Sequence, residues 1–355
     1  MRDEPVEIGP SGPAAATPLG VLFHDAEGAL FLSPLGPLPR RASPASAPVT
    51  GLPEDVGRLP LGRGPGFSGS HAYWISQGSL VRRAVSAGGR IGPLEVLARD
   101  ALDGTRVGVP LRAPGVKRPA RPEVAAYIVR PEAEGGPLRA RLWVEGAPAE
   151  PLTPEGNTAH SVSLVDARGG LLAISVQARM ALTPIHARRI GFGAGSVTKG
   201  EDVVVWVGSG IHSLTELTLL PHGESDLFGF MPHERSTTEF GVARLDIGQA
   251  PDMETPTSWL LYPNGIDPAP VAAAHLCGAP VLFSAEPTSA VPGAAHSLRV
   301  RRIAPGAPGP AETLAEAPAI YFVSASTLPR GALVTWVTDQ GLTMATTLRC
   351  PRRPG

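Results

Sequence analysis

Lysine is nearly missing from this chain: Lys117 and Lys199 are the only ones, and every other fixed positive charge is arginine. With the weight of Ala, Pro and Gly, that reads first as the codon bias of a GC-rich bacterial genome. A surplus of positive charge is also lacking. Lys and Arg total 31 against 32 Asp and Glu, a formal net charge of −1, which excludes the basic footprint of a nucleic-acid binder. Cysteine is scarce. Cys277 and Cys350 are far apart and no CxxC occurs, which excludes a zinc ribbon and a thioredoxin-type motif. The two either pair as a disulfide, if their strands meet, or stay buried as free thiols. No apolar run approaches the roughly 20 residues of a membrane span. The first 18 residues are polar and Pro-rich and lack the apolar region of a signal peptide. The expected compartment is the cytoplasm as the chain is written, and the periplasm or exterior if the N-terminus has been trimmed.

Uninterrupted helix-forming text is lacking too. Gly 42 and Pro 40 are spread along the chain, so few windows of a dozen residues escape one or the other. Hydrophobic residues still make up 43%, enough for a sizeable core. They come as short apolar runs between turn residues, the pattern of an all-β chain with frequent tight turns.

Six segments share one plan: a short apolar strand, a turn, a second alternating strand, then Pro or Gly. They are residues 20–37 (GVLFHDAEGALFLSPLGP), 71–88 (HAYWISQGSLVRRAVSAG), 125–148, 203–223 (VVVWVGSGIHSLTELTLLPHG), 280–306 and 333–351 (LVTWVTDQGLTMATTLRCP). Gln77-Gly78 and Asp339-Gln-Gly341 supply hairpin turn chemistry. Residues 189–207 lie over 319–337 without gaps, matching Ile190 to Ile320, Phe192 to Phe322 and Trp206 to Trp336. Internal similarity of this kind marks a repeat. With Phe23, Trp74, Ile128, Trp206, Phe283 and Trp336 as anchors, most steps are about fifty residues, the scale of a kelch-like blade. The two steps on either side of Trp206 are longer and hold extra strand-like text, either insertions or a seventh unit.

These hairpins resemble β-propeller repeat proteins as a class. The resemblance runs from residue 18 onward and rests on period and hairpin style. With no WD dipeptide, no YWTD and no Asp-box, no specific family is assigned. It implies an all-β β-propeller of about six blades, or seven, made of antiparallel sheets. Radial closure would leave only short, protected sheet edges. The expected organisation is a flexible Pro/Gly-rich tail at 1–17, one propeller domain at 18–351 and a short tail at 352–355. The last unit ends almost at the C-terminus, so a closing strand must come from elsewhere, from residues 4–8 or 17–23.

No motif in the chain carries chemistry outright. Gly191-Phe-Gly-Ala-Gly-Ser196 looks like part of a dinucleotide loop, but it sits in a strand repeat with no helix to follow. No HxH or HExxH occurs, so no metal and no cofactor is expected. The densest polar cluster is His222, Glu224 and Asp226 with His233 and Glu234 close behind, either a ligand site or a solvated loop between strands. Trp259 is a candidate for stacking on a ligand or for the core. Trp206 and Trp336, at matching repeat positions, read as wedges between packed sheets. The arginines around 82–83, 188–189 and 299–302 read as exposed ladders paired with scattered acids.

The function expected from this is a non-catalytic binding or scaffolding domain for a protein or carbohydrate partner, with no nucleic acid and no membrane span. Its rivals are a propeller-type hydrolase or lyase with its site in the central channel, and a structural subunit of a larger bacterial assembly. Fold alone decides none of them.

Overall fold

The computed structural model describes residues 2–10, 14–24, 30–34, 64–86, 89–117, 120–133, 135–167, 170–178, 182–193, 196–209, 217–222, 226–236, 239–247, 257–263, 270–289, 291, 293–304 and 308–351. Among them every regular element is a strand. The chain opens with β1 (Val6–Pro10), whose partner comes from the far end. Sheet 1 is β2 (Ala14–Thr17), β3 (Gly20–His24) and β4 (Leu30–Pro34). Sheet 2 is β5 (Gly66–Ser68), β6 (His71–Ser76), β7 (Ser79–Ala84) and β8 (Glu95–Ala98). The short β9 (Pro110–Leu111) is lent forward to sheet 4, while sheet 3 is β10 (Val124–Val129), β11 (Arg139–Val144) and β12 (Ala147–Pro151). Sheet 4 holds β13 (Thr158–Ala167), β14 (Gly170–Ala178), β15 (Leu182–Gly193) and β16 (Ser196–Ser209), with β9 parallel to β13 at its edge. Sheet 5 is β17 (Thr218–His222), β18 (Asp226–Ser236), β19 (Glu239–Ile247) and β20 (Thr257–Pro263). Sheet 6 is β21 (Val271–Leu276), β22 (Ala279–Pro287), β23 (His296–Arg302) and β24 (Glu312–Ala317). Sheet 7 is β25 (Ile320–Leu328), β26 (Gly331–Thr338) and β27 (Leu342–Arg349), completed by β1.

Strands buried on both faces give this chain its near-continuous apolar runs. In β10, Ala125 and Tyr127 pack toward sheet 2, while Val124, Ala126 and Ile128 pack toward sheet 4. The same division recurs along the chain. Leu22 meets Trp74 between sheets 1 and 2, and Trp206 meets Leu219 between sheets 4 and 5. Leu220 and Phe230 meet Leu282 between sheets 5 and 6, and Phe283 meets Trp336 between sheets 6 and 7. A further cluster joins the ends of the chain: Val21 and Phe23 of sheet 1 pack with Leu333 and Ala345 of sheet 7. Each fully buried Phe or Leu in these clusters stabilises by about 1.5–3 kcal/mol.

The N-terminus is built in rather than loose. Val6 pairs with Ala345 and Pro10 with Leu342. The Asp3 carboxylate takes two bonds from the Arg349 guanidinium, at 2.8 and 3.0 Å. The expected flexible tail at 1–17 is therefore corrected for its described residues: they carry β1 and β2, and β1 satisfies the β27 edge of the last sheet. Residues 352–355 lie outside the described residues.

Two repeat assignments also change. Residues 203–223 are not a hairpin, since β16 and β17 belong to different sheets. Trp206 and Trp336 are not equivalent either. Trp336 lies on β26, second from the edge of sheet 7, whereas Trp206 lies on β16, the outermost strand of sheet 4. The missing anchor is Phe230, fully buried on the second strand of sheet 5.

Cys277 and Cys350 form a disulfide with their Cα atoms 5.4 Å apart. Cys277 sits in the β21–β22 turn at φ 56°, ahead of Gly278 at φ 81°, the geometry of a primed hairpin turn. The bond ties that turn to the end of β27, closing a loop with a sequence separation of 73. Loop-closure entropy for that length is about 4 kcal/mol. The double substitution Cys277→Ser/Cys350→Ser should lower the melting temperature by about 5 °C, given about 2.1 cal/mol/K of unfolding entropy per residue. Calorimetry with and without reductant checks it: only the unsubstituted chain should respond to reductant.

Candidate functional site

The strand register disperses the polar cluster read from the sequence. His222 pairs with Asp226 across the β17–β18 turn, while His233 pairs with Gly241 and Glu234 with Phe240 near the other end of β18. At about 3.3 Å per residue, seven residues of strand separate Asp226 from His233 by about 23 Å. Trp259 is paired with Val242, near the His233 end. Glu224 lies outside the described residues. His222 itself is engaged: its Nδ1 is 3.1 Å from Nε2 of His275, and its ring lies 5.6 Å from that of Phe228. Burial, and secondarily the neighbouring His222, pushes the His275 pKa down to about 4, so His275 is neutral at physiological pH. One imidazole then donates to the other, which is a rim contact between sheets 5 and 6. Among the described residues no three His, Cys, Asp or Glu side chains form a group suited to a metal ion.

A second constellation stitches sheet 2 to sheet 3. Arg82 reaches Glu95, Glu123 and Glu145 at 2.9–3.1 Å and lies 5.2 Å over the Trp143 ring. The Tyr73 hydroxyl donates to Glu123 at 2.5 Å, and its pKa is raised, first by burial and then by that carboxylate. Every acid here faces the one guanidinium, so the group acts as a clamp between sheets.

The cavity lies elsewhere, between residues of sheets 1, 4, 5, 6 and 7. Its volume is about 150 Å³. Ala14 and Ala15 bring sheet 1 to it, Gly64 the approach to sheet 2, Ser163 and Leu111 sheet 4, and Leu219 sheet 5. Sheets 6 and 7 arrive through Ala272 and Ser324. Sheet 3 reaches it through the segment 107–111, because Gly108 and Ala126 exchange backbone hydrogen bonds at 2.8 Å. Gly108 is required there: a Cβ would meet the Val162 carbonyl oxygen at 2.5 Å. That close approach carries Arg106, two residues earlier, to the cavity wall.

Hydroxyls fasten neighbouring inner strands around this wall. The Thr218 Oγ1 donates to the Val271 carbonyl at 3.1 Å, joining sheets 5 and 6. Thr327 Oγ1 accepts from the His275 N–H at 2.8 Å, joining sheets 6 and 7. Ser324 Oγ accepts from the Ala16 N–H at 3.2 Å, joining sheets 7 and 1. These hydroxyls are structural. Arg106 and Ser163 are different, since neither side chain has a partner among the described residues.

Sheet 7 adds a strained element. The register slips between Tyr321 and Ser324, and Phe322 lies at φ 46°. For an aromatic residue that conformation costs on the order of 1–3 kcal/mol, and bulges concentrate beside functional sites. The result is a Phe322 side chain on the cavity wall, 39% exposed. The sequence reading missed Arg106, Ser163 and Phe322. The one local cue was Val107-Gly-Val-Pro, an alternating fragment with Gly where another backbone approaches closely.

No protein-family model and no curated protein sequence matches the chain. Among solved structures it is similar to a mannose phosphorylase from Leishmania mexicana, at 10% identity over 68% of this chain and 82% of that one, TM-score 0.36. It is similar to an endo-arabinase from Bacteroides thetaiotaomicron, at 8% identity over 65% and 90%, TM-score 0.36. It is also similar to a prolyl endopeptidase, at 15% identity over 97% of this chain but only 49% of that one, TM-score 0.41. These are propeller-type folds, in line with the β-propeller resemblance at the level of class. Their names are those of enzymes, against the expectation of a non-catalytic binding or scaffolding domain, and likenesses this distant assign no activity to this chain. Among the described residues no helix is long and apolar enough to cross a membrane.

Proposed function

We propose that this chain is a closed seven-bladed β-propeller acting as a hydrolase or lyase on a small molecule held in the cavity at its hub. Closure is supported by the order of the apolar clusters, which link each sheet to the next and the seventh to the first. Seven blades are supported by seven anchors at steps of about fifty residues: Phe23, Trp74, Ile128, Ile174, Phe230, Phe283 and Trp336, none more than 2% exposed.

The observation that carries the function is a cavity lined by residues of sheets 1, 4, 5, 6 and 7 together with Gly64 and the segment 106–109, in which the Arg106 guanidinium and the Ser163 hydroxyl have no partner among the described residues. Arg106 is exposed, and its positive charge at the cavity wall attracts negative charge on a substrate oxygen. Arg106 would orient the substrate and hold that charge, and the Ser163 hydroxyl would donate beside it. The test is turnover of nitrophenyl esters, nitroanilides and nitrophenyl glycosides by the full chain and by Ser163→Trp, which fills the cavity. Turnover of one class should be lost in the variant. Equal turnover by both proteins would sink the assignment to the hub.

A further inference from the structure

Resting on the hub as the substrate site, we infer that its ligand is a small monocarboxylate carrying one ring-sized apolar group. Charge is the first reason. Arg106 is the sole charged side chain among the described lining residues, and no carboxylate faces it there. A lone cation in such surroundings selects an anion. A dianion would bring a second charge with no second cation opposite it among the described lining residues. Carboxylate geometry fits the donor as well, because the planar guanidinium offers two parallel N–H groups to two oxygens.

Size and wall chemistry supply the rest. A cavity of about 150 Å³ is the size that holds one benzene-sized ring. Val109, Leu111, Leu219, Ala272 and Phe322 give apolar contact. The bulge in sheet 7 accounts for the last of these: it keeps an aromatic side chain at the wall at the expense of backbone strain. Aromatic pairs in offset or edge-to-face contact gain about 0.5–1.5 kcal/mol beyond burial, which gives the strained ring a use once a second ring is present. Ser163 adds a neutral donor for a carboxylate oxygen.

The test is titration calorimetry of the full chain with sodium benzoate, benzamide, acetate and inorganic phosphate. Benzoate should bind saturably with a Kd of about a millimolar or tighter, a level in keeping with so small a ligand. It should bind at least tenfold tighter than benzamide, which keeps the ring without the charge, or acetate, which keeps the charge without the ring. Arg106→Gln should weaken benzoate at least tenfold, Arg106→Lys less, and Ser163→Trp should abolish binding, with circular dichroism unchanged in each. Benzamide binding as well as benzoate, with Arg106→Gln unaffected, overturns the carboxylate inference and leaves the hub reading in place. So does an absence of benzoate binding while Ser163→Trp still abolishes turnover. If no probe binds and Ser163→Trp leaves turnover intact, the hub reading fails with it.

Discussion

A chain lacking residues 1–18 should melt at least about 5 °C below the full chain and should aggregate on heating. The loss has three parts. Sheet 7 loses β1 and its register from Val6–Ala345 to Pro10–Leu342. It also loses the Asp3 contacts, in which the Asp3 N–H donates to the Thr347 carbonyl and Thr346 Oγ1 donates to the Asp3 carbonyl. Sheet 1 loses β2 and is left with β3 and β4. The cluster of Val21, Phe23, Leu333 and Ala345 then loses Ile8, Ala14 and Ala16 from its margin. Several buried side chains at about 0.8 kcal/mol per methylene are a large share of a net stability of about 5–15 kcal/mol. At about 2.1 cal/mol/K per residue, a loss of 4–5 kcal/mol moves the midpoint by about 5–7 °C. The exposed edge of β27 would also offer unpaired backbone to other chains. Calorimetry and size-exclusion chromatography of residues 19–355 check both halves. An unchanged melting temperature would mean that β1 does not close sheet 7.

What could be read from the sequence follows from where aromatic residues fall. Phe23, Trp74, Phe283 and Trp336 all lie on the second strand of a sheet, where both neighbouring sheets press on it, so their spacing reports the sheet-to-sheet period. Trp206 broke the count. Sheet 4 has strands as long as the Ser196–Ser209 element, and its large aromatic sits on the outermost of them. The interval after it hid sheet 5, whose anchor is Phe230, set between Gly229 and Met231 rather than in a Trp-bearing repeat phrase. The closing strand was one of two segments read from the need to satisfy an edge, and residues 4–8 rather than 17–23 overlap the observed β1.

The site was far less legible. Composition-based reading looks for dense polar text, and residues 221–235 were the densest. Period-2 geometry spreads that text along β18, so sequence neighbours diverge in space. The cavity instead draws short pieces from segments as far apart as Ala14 and Ala325, none of which stands out locally. Arg106 gains its position only because Gly108 lets the segment 107–111 lie against Val162. Phe322 gains its own from a bulge that the match to Phe192 concealed, since that match compares hairpins placed differently in their sheets.

Glu286→Ala should destabilise the protein by about 3–5 kcal/mol, the loss expected when a buried ion pair keeps one unpartnered charge. The arginine run at 299–302 read as an exposed ladder, yet Arg301 is 8% exposed and Glu286 fully buried. Alternation explains the reversal. Val281, Phe283 and Ala285 face sheet 7 with Leu298 and Val300. That leaves Ser284, Glu286, Arg299 and Arg301 on the opposite face, where Leu282 packs toward sheet 5. Both Arg301 Nη atoms bond the Glu286 carboxylate, Arg299 adds a bond at 3.1 Å and Ser284 Oγ donates at 2.5 Å. Truncating Glu286 leaves the buried Arg301 guanidinium, among the described residues, with Ser284 Oγ at 3.2 Å as its remaining partner. The penalty comes from that stranded charge, so removing both partners should recover it. Glu286→Leu/Arg301→Met should unfold within about 1 kcal/mol of the parent or above it, since well-packed apolar replacements of buried pairs are often neutral or stabilising. Urea titration separates the two cases. The single variant should show a lower midpoint at unchanged slope, and the double variant should restore it. A single variant as stable as the parent would mean that this face of sheet 6 is open to water and that sheet 5 does not cover it.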